Sequence, residues 1–171
     1  MLNIYTPTQN RQFLRLLENF HHTFCSEKGL KHACKNQQAY INGFLEDYAF
    51  AIDAYLAVFL ISGNEKYYDT AVQLTEICFE EFYDRKSGMF WFTSSKDAAL
   101  VIRKTEITDN VIPASCSQMA RNLFLLYRIS GNRHYRETAF TMLNNVRHEI
   151  GPYGSGYSNW SLLMLELLQD N

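Results

Sequence analysis

The chain has 171 residues, of which 47% are hydrophobic and 20% charged, and its formal net charge is -2. That length suits one domain with a proper core, and the composition excludes a disordered chain. Basic residues form no block able to neutralise a run of phosphates, which argues against nucleic acid as a partner.

Thr6-Pro7-Thr8-Gln9 reads as a helix start, with Thr6 as cap, Pro7 at the first helical position and Gln9 closing a capping box. Phe13, Leu16, Leu17, Phe20 and Phe24 follow as an apolar stripe, giving a first helix over 8–25. Residues Leu30–Phe44 are read as a small strand-bearing segment. A nearly all-apolar helix follows over 47–62 and an amphipathic one over 65–84. The segments MFWFTS and ALVIRKTE, rich in aromatic and β-branched residues, predict a β-hairpin near 89–104. Ser115 and Gln118 form an S-x-x-Q box opening a helix over 114–130, and further helices are expected over 133–149 and 158–169.

The phrase ISGNEKYYDTA (Ile61–Ala71) returns as ISGNRHYRETA (Ile129–Ala139), 68 residues later, with 7 of 11 letters unchanged. Gly63 and Gly131 sit where a helix end calls for a left-handed residue, and Asn64 and Asn132 can cap the helix that follows. Each copy is therefore a tight connector between two helices. The same offset maps Leu74, Cys78 and Phe82 onto Met142, Val146 and Ile150, and Asp53 onto Arg121. It predicts that Asp53 and Arg121 face one another or share a polar network between neighbouring apolar helices.

Amphipathic and almost wholly apolar helices alternate, which predicts two layers with the apolar helices inside. The expected fold is all-α, with three α-hairpins forming an incomplete (α/α)6-type toroid and the small β-hairpin near 89–104 added. The whole of 1–171 would be one domain, half of such a ring. Long connections would gather at the N-terminal ends of the inner helices, where free N–H groups and helix dipoles make a natural binding face.

The longest apolar run, Ala49–Ile61, is interrupted by Asp53 and too short for a bilayer, so no membrane span is expected. MLNIYTPTQN lacks the charged and apolar regions of a signal peptide, and the cysteines form no C-x-x-C pair. A cytoplasmic protein without disulfides is the expectation.

The residues LEDYAFAIDAYLAVF (Leu45–Phe59) followed by SGN, GMFWFTS (Gly88–Ser94) and TDNVIPASCS (Thr108–Ser117) resemble one family. It is the thioredoxin-domain-containing proteins of the YyaL and spermatogenesis-associated type. The resemblance spans roughly residues 8–169 and implies a helical region like that of six-hairpin glycosidases and N-acylglucosamine 2-epimerases. The thioredoxin-like part has no counterpart in this sequence, and three hairpins match the C-terminal half of the helical region. Where the family tends to write D-G/N-A-x-P-S, this chain reads Asp109-Asn110-Val111-Ile112-Pro113-Ala114-Ser115, a departure at the P-S step. The resemblance implies a sugar ligand at the inner-helix mouth. A half ring further implies a partner, either a second copy of the chain or an N-terminal half supplied by another.

Two readings stand beside each candidate residue. Glu46 and Asp47 supply one side of a glycosidase-like carboxylate pair, or else perform helix-start chemistry. Glu106 and Asp109 supply the opposing carboxylate, or an Asx-turn before Pro113. Tyr48, Trp91, Asn110 and Ser115 are the candidate binding residues, with Trp91 either stacking on a sugar or covering the helix ends. His21, Cys25, His32 and Cys34 lack a usual zinc spacing, so no metal is assigned, and no cofactor motif is present. No inner helix contains a histidine and there is no G-x-S-x-G elbow, so a complete catalytic set is not legible.

Overall fold

The computed structural model describes residues 7–26, 29–97 and 103–170. Its helices are α1 (Pro7–Phe24), α2 (Leu45–Ser62), α3 (Glu65–Glu81), α4 (Ser115–Ser130), α5 (Arg133–Ile150) and α6 (Ser158–Gln169). Strands β1 (Cys25–Ser26), β2 (Gly29–Lys35) and β3 (Gln38–Asn42) form one antiparallel sheet, and β4 (Tyr83–Asp84) pairs with β5 (Met89–Phe90). The all-α fold read from the sequence holds. No helix among the described residues is long and apolar enough to cross a membrane.

Helices α2, α4 and α6 pack side by side as an inner layer, while α3 and α5 return along the outside of their hairpin partners. Only the central inner helix meets the condition for being apolar all round. From Ser115 to Ala120 every residue of α4 is buried, because α2 covers one flank and α6 the other. The flanking helices are covered on one side: Leu162, Leu165 and Leu168 of α6 stand in solvent, as do Leu60 and Ile61 of α2. Trp160, Tyr55, Phe82, Phe90 and Phe124 are the largest fully buried side chains among the described residues. Aromatic residues fill the space between layers, with the Phe79 ring lying 5.4 Å from Phe90 and 5.3 Å from Tyr83.

The two repeated connectors form as their letters dictate. Gly63 adopts φ 66° and Gly131 φ 73°, and each donates its N–H to the carbonyl four residues back, at 2.8 and 2.7 Å. Asn64 and Asn132 accept from the N–H two residues on, both at 3.1 Å.

Elsewhere local expectation gives way to longer-range contacts. Helix α2 begins at Leu45 because Asp47 reaches back to the Phe44 N–H at 2.8 Å, which makes Asp47 the third helical residue. The two-strand hairpin lies earlier than 89–104. Asp84 accepts from Lys86 N–H and Ser87 N–H, and Gly88 takes φ 73°, so the chain turns before Met89 and Phe90 pairs with Tyr83. The expected pairing survives as one bond, Phe92 N–H to the Lys104 carbonyl at 2.8 Å, and residues 98–102 lie outside the described part. The anticipated strands near Leu30–Phe44 are present, joined by a two-residue turn in which Asn36 and Gln37 both have positive φ.

The Ser115/Gln118 box does not form. Ser115 Oγ is buried without a hydrogen-bond partner, and Gln118 donates to Asn122 at 2.9 Å instead. Asn122 in turn donates to the Ala49 carbonyl at 2.7 Å, tying α4 to α2 through a buried polar chain. The Thr6 cap lies outside the described residues. Arg121 gives its hydrogen bonds to α6 rather than to Asp53, pairing with Glu166 at 2.5 Å and donating to Asn159 at 3.0 Å. Asp53 reaches the surface, where apolar surroundings push its carboxyl up and the charge of Arg121 only partly offsets them.

Candidate functional site

Chemistry-bearing residues concentrate at the N-terminal ends of α2 and α4. Both ends are capped by carboxylates, for the reason that free N–H groups and a positive dipole end demand it. At α2 the carboxylate belongs to the helix: Asp47 accepts from Phe44 N–H and also holds Nδ1 of His32, at 2.9 and 3.1 Å from its two oxygens. At α4 the carboxylates come from the preceding loop. Glu106 Oε2 accepts from Ser115 N–H at 3.1 Å. Asp109 accepts from Ala114 N–H at 2.9 Å and from the Ser117 hydroxyl at 2.6 Å.

Asp109 has a second task. Its other oxygen accepts from Asn159 N–H at 2.8 Å, in the first turn of α6, so one buried carboxylate caps two inner helices. Both of its oxygens are in use. The residue is placed to hold the mouth together.

Glu46 and Asp47 line an open cavity of about 480 Å³ with Leu17, Phe20, Phe50 and Ile112. That volume lies in the range of small-molecule sites, and the wall combines apolar rings with carboxylates. The Glu46 carboxyl is pushed up by its partial burial first, then by the charges of Asp47 and Glu106, with His32 drawing it down. Glu46 and Glu106 therefore sit within each other's field across the gap between α2 and α4.

The remaining candidates take other positions. Tyr48 points into the core, where its hydroxyl accepts from Leu30 N–H at 2.9 Å and its ring packs 5.2 Å from Phe82. Trp91 lies under the guanidinium of Arg103, 5.5 Å from the ring centre. Asn110 is exposed, its N–H donated to the Ile112 carbonyl at 3.0 Å. Ser115 adjoins Glu106 through its backbone. The structure thus groups Glu46, Asp47, Glu106 and Ser115 at one mouth and sets Tyr48 and Trp91 apart from it. From the sequence His32 was weighed only as a metal ligand with His21, Cys25 and Cys34, and not as part of this mouth. It arrives from β2, whose pairing with β3 and packing against α2 are tertiary facts.

No family model matches the chain. An uncharacterised protein of Caenorhabditis elegans is 36% identical over 100 residues, which are 58% of this chain and 13% of that protein. Spermatogenesis-associated protein 20 of Homo sapiens is 26% identical over 102 residues, 59% of this chain and again 13% of the relative. The chain thus spans a small part of the length of the curated relatives it matches. Among solved structures, a GH76 alpha-mannanase of Bacteroides thetaiotaomicron superposes with TM-score 0.59 at 13% identity. The superposition covers 83% of this chain and 39% of that one. At this identity the likeness is one of fold, and it agrees with the resemblance to spermatogenesis-associated proteins read from the sequence.

Proposed function

We propose that this chain, a relative of the spermatogenesis-associated proteins built on a glycosidase-like helical scaffold, is a carbohydrate-binding or carbohydrate-processing module. Its site is the cavity at the N-terminal ends of α2 and α4. One observation carries the reading: Glu46, in the first turn of α2, lines an open cavity, and Glu106 approaches it from the loop that caps α4. Glycosidic chemistry needs one carboxylic acid to donate and one carboxylate to accept or attack, and environments that drive two carboxyls apart produce that division. Here Glu46 takes the acid role and Glu106 that of the opposing carboxylate. Asp109 holds α4 and α6 in place behind the mouth.

A panel of methyl glycosides and short mannans tests the reading. Saturable binding or hydrolysis that Glu46→Gln and Glu106→Gln each reduce at least about tenfold would support it. Silence across the panel, with the protein folded, would remove it.

A second reading rests on the two uncovered edges of the helical layers. At one edge Phe13, Leu16, Ala57 and Ile61 line an apolar groove of about 470 Å³ between α1 and α2, and at the other Leu162, Leu165 and Leu168 face solvent. Exposed apolar faces of this kind serve association. In this reading the chain assembles with another three-hairpin half, a second copy included. Light scattering on the wild type and Leu165→Asp decides it: a monomer at micromolar concentration in both counts against assembly.

A further inference from the structure

We infer that His32 is the hydroxyl-binding residue at the rim of the carboxylate-lined cavity, held for that task by Asp47, and that its ligand is a neutral sugar. The inference rests on the carbohydrate reading above and names the contact that reading lacks.

Two constraints fix the imidazole. Nδ1 lies 2.9 and 3.1 Å from the two oxygens of Asp47, and a carboxylate can only accept, so Nδ1 carries the hydrogen. The ring also packs 4.8 Å from Phe44, which is stacked on Phe92 at 5.1 Å with 15° between planes. β2 carries the residue, and its register with β3 sets Lys31 opposite Asn42 and Ala33 opposite Tyr40, on either side of His32.

With Nδ1 protonated, the neutral ring presents Nε2 as a lone-pair acceptor. Among the described residues no group is bonded to Nε2, and the side chain is 38% exposed. Capping does not account for the contact, because Asp47 satisfies the Phe44 N–H whether or not the histidine is present. Asp47 forms part of the cavity wall, and its hydrogen bond to Nδ1 sets the ring beside that wall.

The imidazole is in contact with the Asp47 carboxylate, and Glu46 adjoins it in the first turn of α2. Carboxylates repel an anionic ligand, and no group of three His, Cys, Asp or Glu side chains among the described residues gathers to hold a metal ion. Nε2, Glu46 and Asp47 together offer acceptors to adjacent hydroxyls. The apolar rings of Phe20 and Phe50 offer a surface for a sugar face.

The experiment uses the full chain uniformly labelled with nitrogen-15, titrated with D-mannose, D-glucose and N-acetyl-D-glucosamine. In its neutral form His32 should be the tautomer protonated at Nδ1. One of the sugars should shift its Nε2 resonance saturably, and His32→Phe, which keeps a ring against Phe44, should weaken that sugar about tenfold. His32→Gln should recover part of the loss. A sugar that moves Phe20, Phe50 or Ile112 while leaving Nε2 still, or binds His32→Phe equally well, overturns the inference and leaves the carbohydrate reading standing. Absence of any shift at the cavity with all three sugars overturns both. Should His32→Phe fail to fold, the tautomer and the Nε2 shift in the wild type decide: an Nε2–H tautomer rules the role out.

Discussion

The two ends of the inner helices are built by different means. At the C-terminal ends the chain uses one local device twice. Ser62 and Ser130 each turn their hydroxyl back to a carbonyl four residues earlier, at 2.8 and 2.7 Å, and accept the Asn64 or Asn132 N–H at 3.2 and 3.1 Å. The glycine and asparagine between them complete a turn whose donors and acceptors lie within a few residues. At the N-terminal ends nothing repeats. α2 is capped by its own Asp47, α4 by Glu106 and Asp109 from a loop, and α6 by the same Asp109 at a separation of 50 residues. A connector needs the same answer wherever it occurs, whereas a mouth assembled from loops varies with the contacts that surround it.

Removing a residue from the mouth end should therefore cost more than removing one from the turn end. Asp109→Ala takes away the acceptor for two backbone N–H groups and the Ser117 hydroxyl, all buried. Hydrogen bonds to a charged group are worth about 1.5–3 kcal/mol each, and leaving donors buried and unpaired adds to the cost. A loss of at least about 3 kcal/mol in urea unfolding is expected, with amide exchange speeding up in the first turns of both α4 and α6. Loss below about 1 kcal/mol, or disturbance of α4 alone, would mean that Asp109 does not join the two helices.

Next in size come Gly63→Ala and Gly131→Ala. Neither glycine has an atom within 4 Å of where a Cβ would go, so the penalty is that of a left-handed backbone alone. About 1–2 kcal/mol each is expected, and the double substitution should add, the two turns being separate. Ligand binding at the opposite end should be unchanged. Unequal costs at the two positions would show that the turns, though identical in bonding, are not equivalent in the fold.

The same contrast explains what could be read from the letters. ISGN announces its structure because glycine, serine and asparagine act on their own neighbours, so the turns and most helix bounds followed from short windows. Asp47 as a cap was one of two open readings, and Ser115 with Gln118 had the pattern of a box. Yet α4 took its caps from the preceding loop, and Gln118 turned to Asn122. Arg121 illustrates the limit of the 68-residue ruler. Equivalence placed it opposite Asp53, but α6 offered Glu166 and Asn159 on the other flank, a better-satisfied site for a guanidinium. His32 was beyond reach altogether, since only the register of β2 with β3 and the packing of the sheet on α2 bring it to Asp47.

The smallest effect sharpens the comparison most, because it asks whether the mouth is tuned or merely capped. Burial and the charges of Asp47 and Glu106 raise the Glu46 carboxyl above its unfolded value. A raised acid binds its proton more tightly when folded, so its contribution to stability is complete at pH values below the ordinary carboxylate range. That contribution is lost as pH rises through the folded value and stays lost above it. Glu46→Gln removes this titration. The variant should match the wild type at low pH and exceed it slightly at neutral pH, with the difference opening just above the ordinary carboxylate range in unfolding midpoints measured stepwise with pH. Glu106→Gln, which keeps Glu46 but withdraws one of the charges raising it, should narrow the window without closing it. If Glu46→Gln changes nothing with pH, the carboxyl is not held up by its neighbours. Both ends of the inner helices would then be caps, differing only in where the capping residue comes from.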